Sequence, residues 1–96
     1  MAEREQYWTV EAPQALAWFS WDTETVLYDE RSGDIHYFDE AISTIFERIV
    51  QGPRSFDDLV IFAADRLQVV ADSEMEAMVS EILMILRDKQ VVTPAG

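Results

Sequence analysis

The chain has 96 residues, of which 49% are hydrophobic, enough for the core of one small domain. Nineteen acidic residues against seven basic ones give a net charge of −12, so the chain lacks the clustered cations that nucleic acids and anionic membranes require. With no cysteine there is no disulfide framework, thiolate metal site or cysteine nucleophile. We expect a cytoplasmic domain, reduced like other cytosolic proteins, with a cationic partner, although acidity can serve solubility alone.

Residues 1–13 show little pattern and are expected to form an N-terminal arm. The charged start has no apolar run behind it, so we predict no signal peptide, and no stretch is long enough to span a membrane. Tyr7–Val10 fits a short edge strand or a packed arm that ends at Pro13. The predicted domain covers residues 14–93, and residues 94–96 are a tail.

Three strands are predicted in succession. Leu16–Trp21 is rich in large aromatic residues, and Thr25–Tyr28 follows a polar break. Ile35–Phe38 follows a loop with Gly33 near its end, where a positive φ is common. Because the loops between the strands are short and polar, the pattern predicts an antiparallel meander.

Asp39 is the predicted N-cap of a first helix from Glu40 to Gln51, which stops at Gly52 and Pro53. Its apolar residues recur at helical spacing and form one stripe: Ile42, Ile45, Phe46, Ile49 and Val50. Ser55 is the predicted cap of a second helix. The stripe of that helix is Phe56, Leu59, Val60, Ala63 and Leu67.

A third helix is predicted over Ser73–Asp88, opened by an S-x-x-E capping box from Ser73 to Glu76. Its core stripe is Met75, Val79, Ile82 and Leu86, flanked by Met78 and Ile85 on one side and Leu83 on the other, with Met84 pointing away. This surplus fits either a wide core or the wall of a groove. Val91–Val92 fits a short strand or an extended tail. The predicted class is α+β and winged-helix-like: a three-stranded antiparallel sheet followed by three helices.

No catalytic residue, cofactor site or metal site is predicted. His36 is the single histidine and has no further His or Cys donors. Three glycines are too few for a phosphate-binding loop, and no nucleophile–base pair is visible. Paired carboxylates such as Asp57 and Asp58 stand at turns or helix starts, where capping explains them. We therefore expect no enzyme.

Several motifs follow this layout in a fixed order. They are Ser20-Trp21-Asp22, Val26-Leu27-Tyr28-Asp29, the run from Ser32 to Asp39, Ala41-Ile42 with Ile45, and Gly52-Pro53-Arg54-Ser55. In order and spacing they resemble the PqqD family of small peptide chaperones from pyrroloquinoline-quinone synthesis, and are most similar to the branch called the HPr-rel-A system PqqD family. The resemblance covers about residues 16 to 93. Asp39 departs from the Asn that many members carry there, though both residues cap helices.

The resemblance implies a peptide-recognition element of a ribosomal-peptide modification system, which binds the leader of a precursor peptide and presents it to a modifying enzyme. In that family the leader adds as a strand beside the third strand and lies against the third helix. Carried onto this chain, these are Asp34–Phe38 and Ser73–Asp88. The expected peptide-binding residues are Asp34, Ile35, His36, Tyr37, Phe38, Met78, Ile82 and Ile85.

Two alternatives stay open at this point. A winged-helix regulator would need a basic recognition helix, and the third helix is acidic instead. Its charged residues are Glu74, Glu76, Glu81 and Asp88 against Arg87, followed by Lys89. A homodimeric structural subunit would pair the same edge strand with its own copy, so a monomer and a homodimer are both compatible with the sequence.

Overall fold

The computed structural model describes residues 6–95. The elements in chain order are β1 (Tyr7–Val10), β2 (Leu16–Trp21), β3 (Glu24–Asp29), β4 (Asp34–Phe38), α1 (Glu40–Val50), β5 (Arg54–Ser55), α2 (Phe56–Leu67), α3 (Ser73–Asp88) and β6 (Val92–Ala95). The predicted class, a three-stranded antiparallel sheet followed by three helices, is confirmed.

The first sheet is the predicted meander, with strand order β2-β3-β4. A two-residue turn joins β2 to β3, and Asp22 in it has φ 51°, a conformation that Asp tolerates better than most residues. The turn before β4 places Gly33 at φ 79°, and the Gly33 N–H donates to the Asp29 carbonyl at 2.7 Å. Both turns are short enough to fix the register, with Leu27 facing His36.

The sheet has an inner and an outer face because strand side chains alternate. On the inner face, Trp18 and Phe38 pack on Phe46 of α1, with ring centroids 5.3 and 5.8 Å apart respectively. Leu27 of the central strand is fully buried there. The core of the protein therefore lies between the inner face and the helices.

The predicted caps of α1 and α2 are correct: Asp39 accepts from the Ile42 N–H at 3.0 Å, and Ser55 accepts from the Asp58 N–H at 3.1 Å. The predicted capping box of α3 is wrong. Asp72, one residue earlier, is the N-cap and accepts from the N–H groups of residues 74 and 75 at 3.1 Å each. A carboxylate is the stronger acceptor at the positive end of the helix dipole, so Ser73 becomes the first helical residue.

The helical stripes of α1 and α2 are buried or, at Ile42 and Leu67, partly buried, with one exception. Val50, the last residue of α1, is exposed because the helix ends there. Gly52 follows at φ 147°, in the region that favours glycine. Arg48 joins α1 to α2 through hydrogen bonds of 3.0 and 3.1 Å to Asp58, and its guanidinium lies 4.6 Å from the ring centroid of Phe62.

A second sheet, with strand order β5-β1-β6, joins the first and last strands of the described residues. Tyr7–Val10 is its central strand, not the edge strand or packed arm that we expected. Trp8 is buried between Arg54 and Pro94, and Pro94 lies within a strand. Parts of the predicted arm and tail thus belong to the fold, and residues 1–5 and 96 lie outside the described residues.

Candidate functional site

The outer edge of β4 is open. β4 pairs with β3 on one side, and no strand within residues 6–95 pairs with its other side. Such an edge presents backbone N–H and C=O groups that a further strand can bond. β2 is the opposite edge of the same sheet, and no strand within residues 6–95 pairs with its outer side either.

The side chains of β4 divide between the two faces of the sheet. Asp34, His36 and Phe38 share the inner face, where the His36 and Phe38 rings lie parallel within 4° at 6.4 Å between centroids. Ile35 and Tyr37 share the outer face, where 55% and 78% of their surfaces are exposed. A strand added at the β4 edge would therefore meet polar and aromatic neighbours on one side and exposed apolar ones on the other.

A cleft of about 380 Å³ separates the start of β4 from the C-terminal end of α3. Its lining residues come from β3, β4, the intervening turn and the end of α3: Asp29, Arg31, Ser32, Asp34, His36, Asp88, Lys89 and Gln90. The cleft thus brings two of the expected binding residues of β4, Asp34 and His36, next to the helix that the family resemblance pairs with it.

Arg31 lines this cleft and connects its two sides. Its guanidinium donates to both carboxylate oxygens of Asp29 at 3.0 and 2.9 Å, to the Gln90 carbonyl at 2.7 Å and to Glu11 at 3.3 Å. The hydrogen bond from Arg31 lowers the pKa of Asp29 and raises the pKa of Arg31 itself, because each ion stabilises the charge of the other. The turn before β4 is therefore fixed to the end of α3.

One flank of α3 carries two of the three expected helix residues, Met78 and Ile85. Met78, Ile85 and Lys89 are separated by seven and four residues, so they lie along the same flank. Met78 lines a second cavity of about 420 Å³ with Val69 and other residues at the start of α3, whereas Lys89 lines the cleft beside β4. We call this flank, with the apolar cavity at its start and the polar cleft at its end, the α3 groove.

The expected α3 residues do not contribute equally to this surface. Met78 and Ile85 are half-buried, so part of each side chain is accessible on this flank. Ile82 is buried in the core and supports the groove from beneath. On the strand, Ile35 and Tyr37 lie on the face of the sheet turned away from the helices, so they are brought together with neither Met78 nor Ile85.

Acidic side chains follow the α3 groove. Glu74, Glu81 and Asp88 stand seven residues apart and are exposed, which places them in one stripe beside Met78 and Ile85. None of the three has an ion pair within residues 6–95. Their charges are therefore available to a cationic partner.

Other kinds of site find no support in the described part of the chain. Residues 6–95 contain no group of three or more His, Asp or Glu side chains that could hold a metal ion. In the same range, no helix has the length and apolar character needed to cross a bilayer.

No protein-family model matches the chain, and no curated protein matches its sequence. Two solved structures share its fold. One is TbiB1 in complex with the TbiA(beta) leader peptide, with a TM-score of 0.77 and 18% identity over 92% of this chain and 98% of that one. The other is lasso peptide synthetase B1 complexed with the leader peptide, with a TM-score of 0.72 and 20% identity over 91% of this chain and 98% of that one. At these identities the similarity establishes the fold.

Proposed function

We propose that this chain is a non-catalytic adaptor that binds the leader segment of a precursor peptide at the β4 edge and presents it to a modifying enzyme. The observation that carries the proposal is an open edge strand beside a helix groove, in a fold shared with two proteins solved with leader peptides. The finer proposal places the chain among PqqD-like adaptors, in the branch named by the sequence resemblance, acting in the cytoplasm.

Backbone hydrogen bonds at β4 supply affinity that does not depend on the peptide's side chains. The inner-facing side chains of the added strand would then enter the α3 groove and provide selectivity. Of the residues expected from sequence, we propose Asp34, His36, Met78 and Ile85 for those inner contacts. Ile35 and Tyr37 would instead lie beside the outward side chains of the peptide, as cross-strand neighbours.

The acidic stripe of α3 favours a basic peptide. Glu74, Glu81 and Asp88 are exposed at the rim of the α3 groove, and the whole chain carries a net charge of −12. Lys or Arg side chains of the peptide would reach these carboxylates while its backbone bonds β4. The same charge disfavours the alternative of a DNA-binding winged helix.

The test begins with a displayed library of random linear peptides, selected on the purified domain. Affinity of the best synthetic peptide is measured by fluorescence anisotropy, and hydrogen–deuterium exchange shows which amides it protects. We expect protection at β4 and along α3. Protection confined to β2, or selection of no peptide, would contradict strand addition at the β4 edge.

Proline variants sharpen this result, because alternate N–H groups of β4 point to β3 and to the open edge. One of Ile35→Pro and His36→Pro removes an edge donor, and the other removes a ladder bond to β3. We expect the variant that keeps a native circular dichroism spectrum to lose peptide binding. The control pair Phe19→Pro and Ser20→Pro probes β2 in the same way, and its folded member should bind normally.

A further inference from the structure

The outer face of the first sheet is apolar and uncovered within residues 6–95. Its large side chains are Phe19, Trp21, Val26, Tyr28, Ile35 and Tyr37, which we call the outer apolar face. Phe19 is 66% exposed, and its ring lies 5.4 Å from that of Trp21 between centroids. Monomeric proteins rarely leave a contiguous apolar patch of this kind unless it binds something.

The strand register arranges these side chains in rows across the sheet. Phe19 faces Val26, which faces Tyr37, so one row crosses all three strands. Tyr28 faces Ile35 in the next row. Both rows end at the open edge of β4, which is where the proposed peptide adds.

A strand added at β4 extends these rows. It would lie about 4.8 Å from β4, and every second side chain would point outward beside Tyr37 or Ile35. The outer apolar face and the outward half of the peptide would then form one surface. A partner that binds this surface would contact the domain and its bound peptide at the same time.

The charges around the outer apolar face favour one kind of binding partner over another. Glu24 lies on the face itself, and Asp22 and Glu30 stand exposed in the turns at its two ends. Arg31, the cation nearest these turns in sequence, is held by Asp29 and the end of α3. A second copy would bring like charges together and join two chains of net charge −12, whereas a basic rim on a different protein would be attracted.

We propose that the outer apolar face, extended by the bound peptide, is the docking surface for the peptide-modifying enzyme, which contacts it with an apolar patch rimmed by Lys or Arg. This inference rests on the proposed function, because it needs the peptide at β4. It assigns the two faces of the sheet different partners: the inner face and α3 select the peptide, and the outer face recruits the enzyme.

The first experiment places a photo-crosslinking phenylalanine at Tyr28, which is 43% exposed, and, as the control, at Met84 on α3, which is 54% exposed. The domain, with and without the selected peptide, is irradiated in lysate of its source organism. We expect position 28 to capture one protein, more strongly with the peptide, and the purified protein to change the mass of that peptide. Capture of a second copy, equal capture from Met84, or no capture would overturn the inference.

The second experiment uses the purified captured enzyme. Phe19→Thr removes an exposed ring on β2, two strands away from the peptide edge, and should weaken enzyme binding by about tenfold, as for an interface hot spot. Glu24→Lys should weaken it too, by opposing the basic rim. Met84→Thr is the matched control and should bind normally. Unchanged enzyme binding by Phe19→Thr and Glu24→Lys would overturn the inference.

The two proposals fail in different ways. Peptide affinity for the β4 edge is measured by anisotropy without the enzyme. If no peptide binds at this edge, the adaptor role itself is refuted. If Phe19→Thr binds both the peptide and the enzyme with unchanged affinity, the adaptor role stands. Only the docking surface is then refuted.

Discussion

Arg31 holds Asp29 through both carboxylate oxygens, at 3.0 and 2.9 Å, at the point where β3 turns into β4. Asp29 is only 3% exposed, so its charge has little water around it and depends on this partner. The same guanidinium bonds the Gln90 carbonyl beyond α3. One residue therefore stabilises a buried charge and fixes the strand relative to the helix that lines the groove.

A double-mutant cycle tests this relationship. Arg31→Ala leaves a buried carboxylate unpaired, and we expect a clearly lower midpoint of thermal unfolding. Adding Asp29→Asn removes that unpaired charge, so the double variant should be more stable than the sum of the two single effects predicts. Strict additivity in urea unfolding would show that the two side chains act independently.

The pH dependence of stability follows from the same carboxylate and from Asp58. Hydrogen bonds from Arg31 and Arg48 lower the pKa values of Asp29 and Asp58 below the ordinary 3.8. A lowered folded pKa stabilises the protein above the unfolded value, and this contribution is lost as the pH falls through the folded pKa. We expect the free energy of unfolding to decrease below about pH 4. Urea unfolding at several acidic pH values should show a smaller decrease in Arg31→Ala.

The start of α3 gives a prediction that distinguishes the Asp72 cap seen in the structure from the Ser73 capping box suggested by the sequence. Asp72→Ala removes an acceptor for two N–H groups, and should lower the free energy of unfolding by about 0.5–2 kcal/mol. Ser73→Ala should change it less, because Ser73 is a helical residue and not the cap. If both variants lose the same free energy of unfolding in urea, Ser73 contributes to the cap as the capping box predicts.

Gln68 offers a stabilising substitution. It ends α2 in the left-handed region, at φ 59° and ψ 47°, where a Cβ atom is unfavourable. Gln68→Gly should raise the free energy of unfolding by about 0.5–1 kcal/mol. Gln68→Ala keeps the Cβ atom and should give no such gain, so a similar rise in both variants would point to another cause.

Salt should weaken peptide binding if the acidic stripe of α3 contributes. Raising NaCl from about 0.05 to about 0.5 M shortens the Debye length and screens exposed charges. We expect the Kd of the selected peptide to rise over this range, and Glu81→Gln to reduce the slope. A Kd that does not change with salt would show that charge does not contribute to the affinity of the peptide.

Strong local patterns predicted most of this fold. α1 and α3 have long apolar periodicities, α1 also has clear end signals, and the strands of the meander are joined by turns of two and four residues. The second sheet was not predicted as such because Tyr7–Val10 pairs with Val92–Ala95 across nearly the whole chain. β5 has two residues, too few to show any periodicity.

The candidate site could be predicted from the sequence only in part. The alternation along β4 assigns Ile35 and Tyr37 to one face, but it does not say which face lies toward α3. Arg31 was missed because its acceptors belong to Glu11, Asp29 and Gln90, which are distant in sequence or look like ordinary turn residues. The open edge of β2 was missed because an edge is a property of the whole sheet.

The second sheet has a practical consequence for engineering. Tyr7 pairs directly with Ala95, so these two positions lie side by side, in a sheet separate from the one that contains β4. A short glycine-rich connection could join them, and new ends could be opened in the tight turn at Asp22. A circular permutant of this kind should fold, and it would move any fusion partner from one end of the molecule to another without interrupting β4.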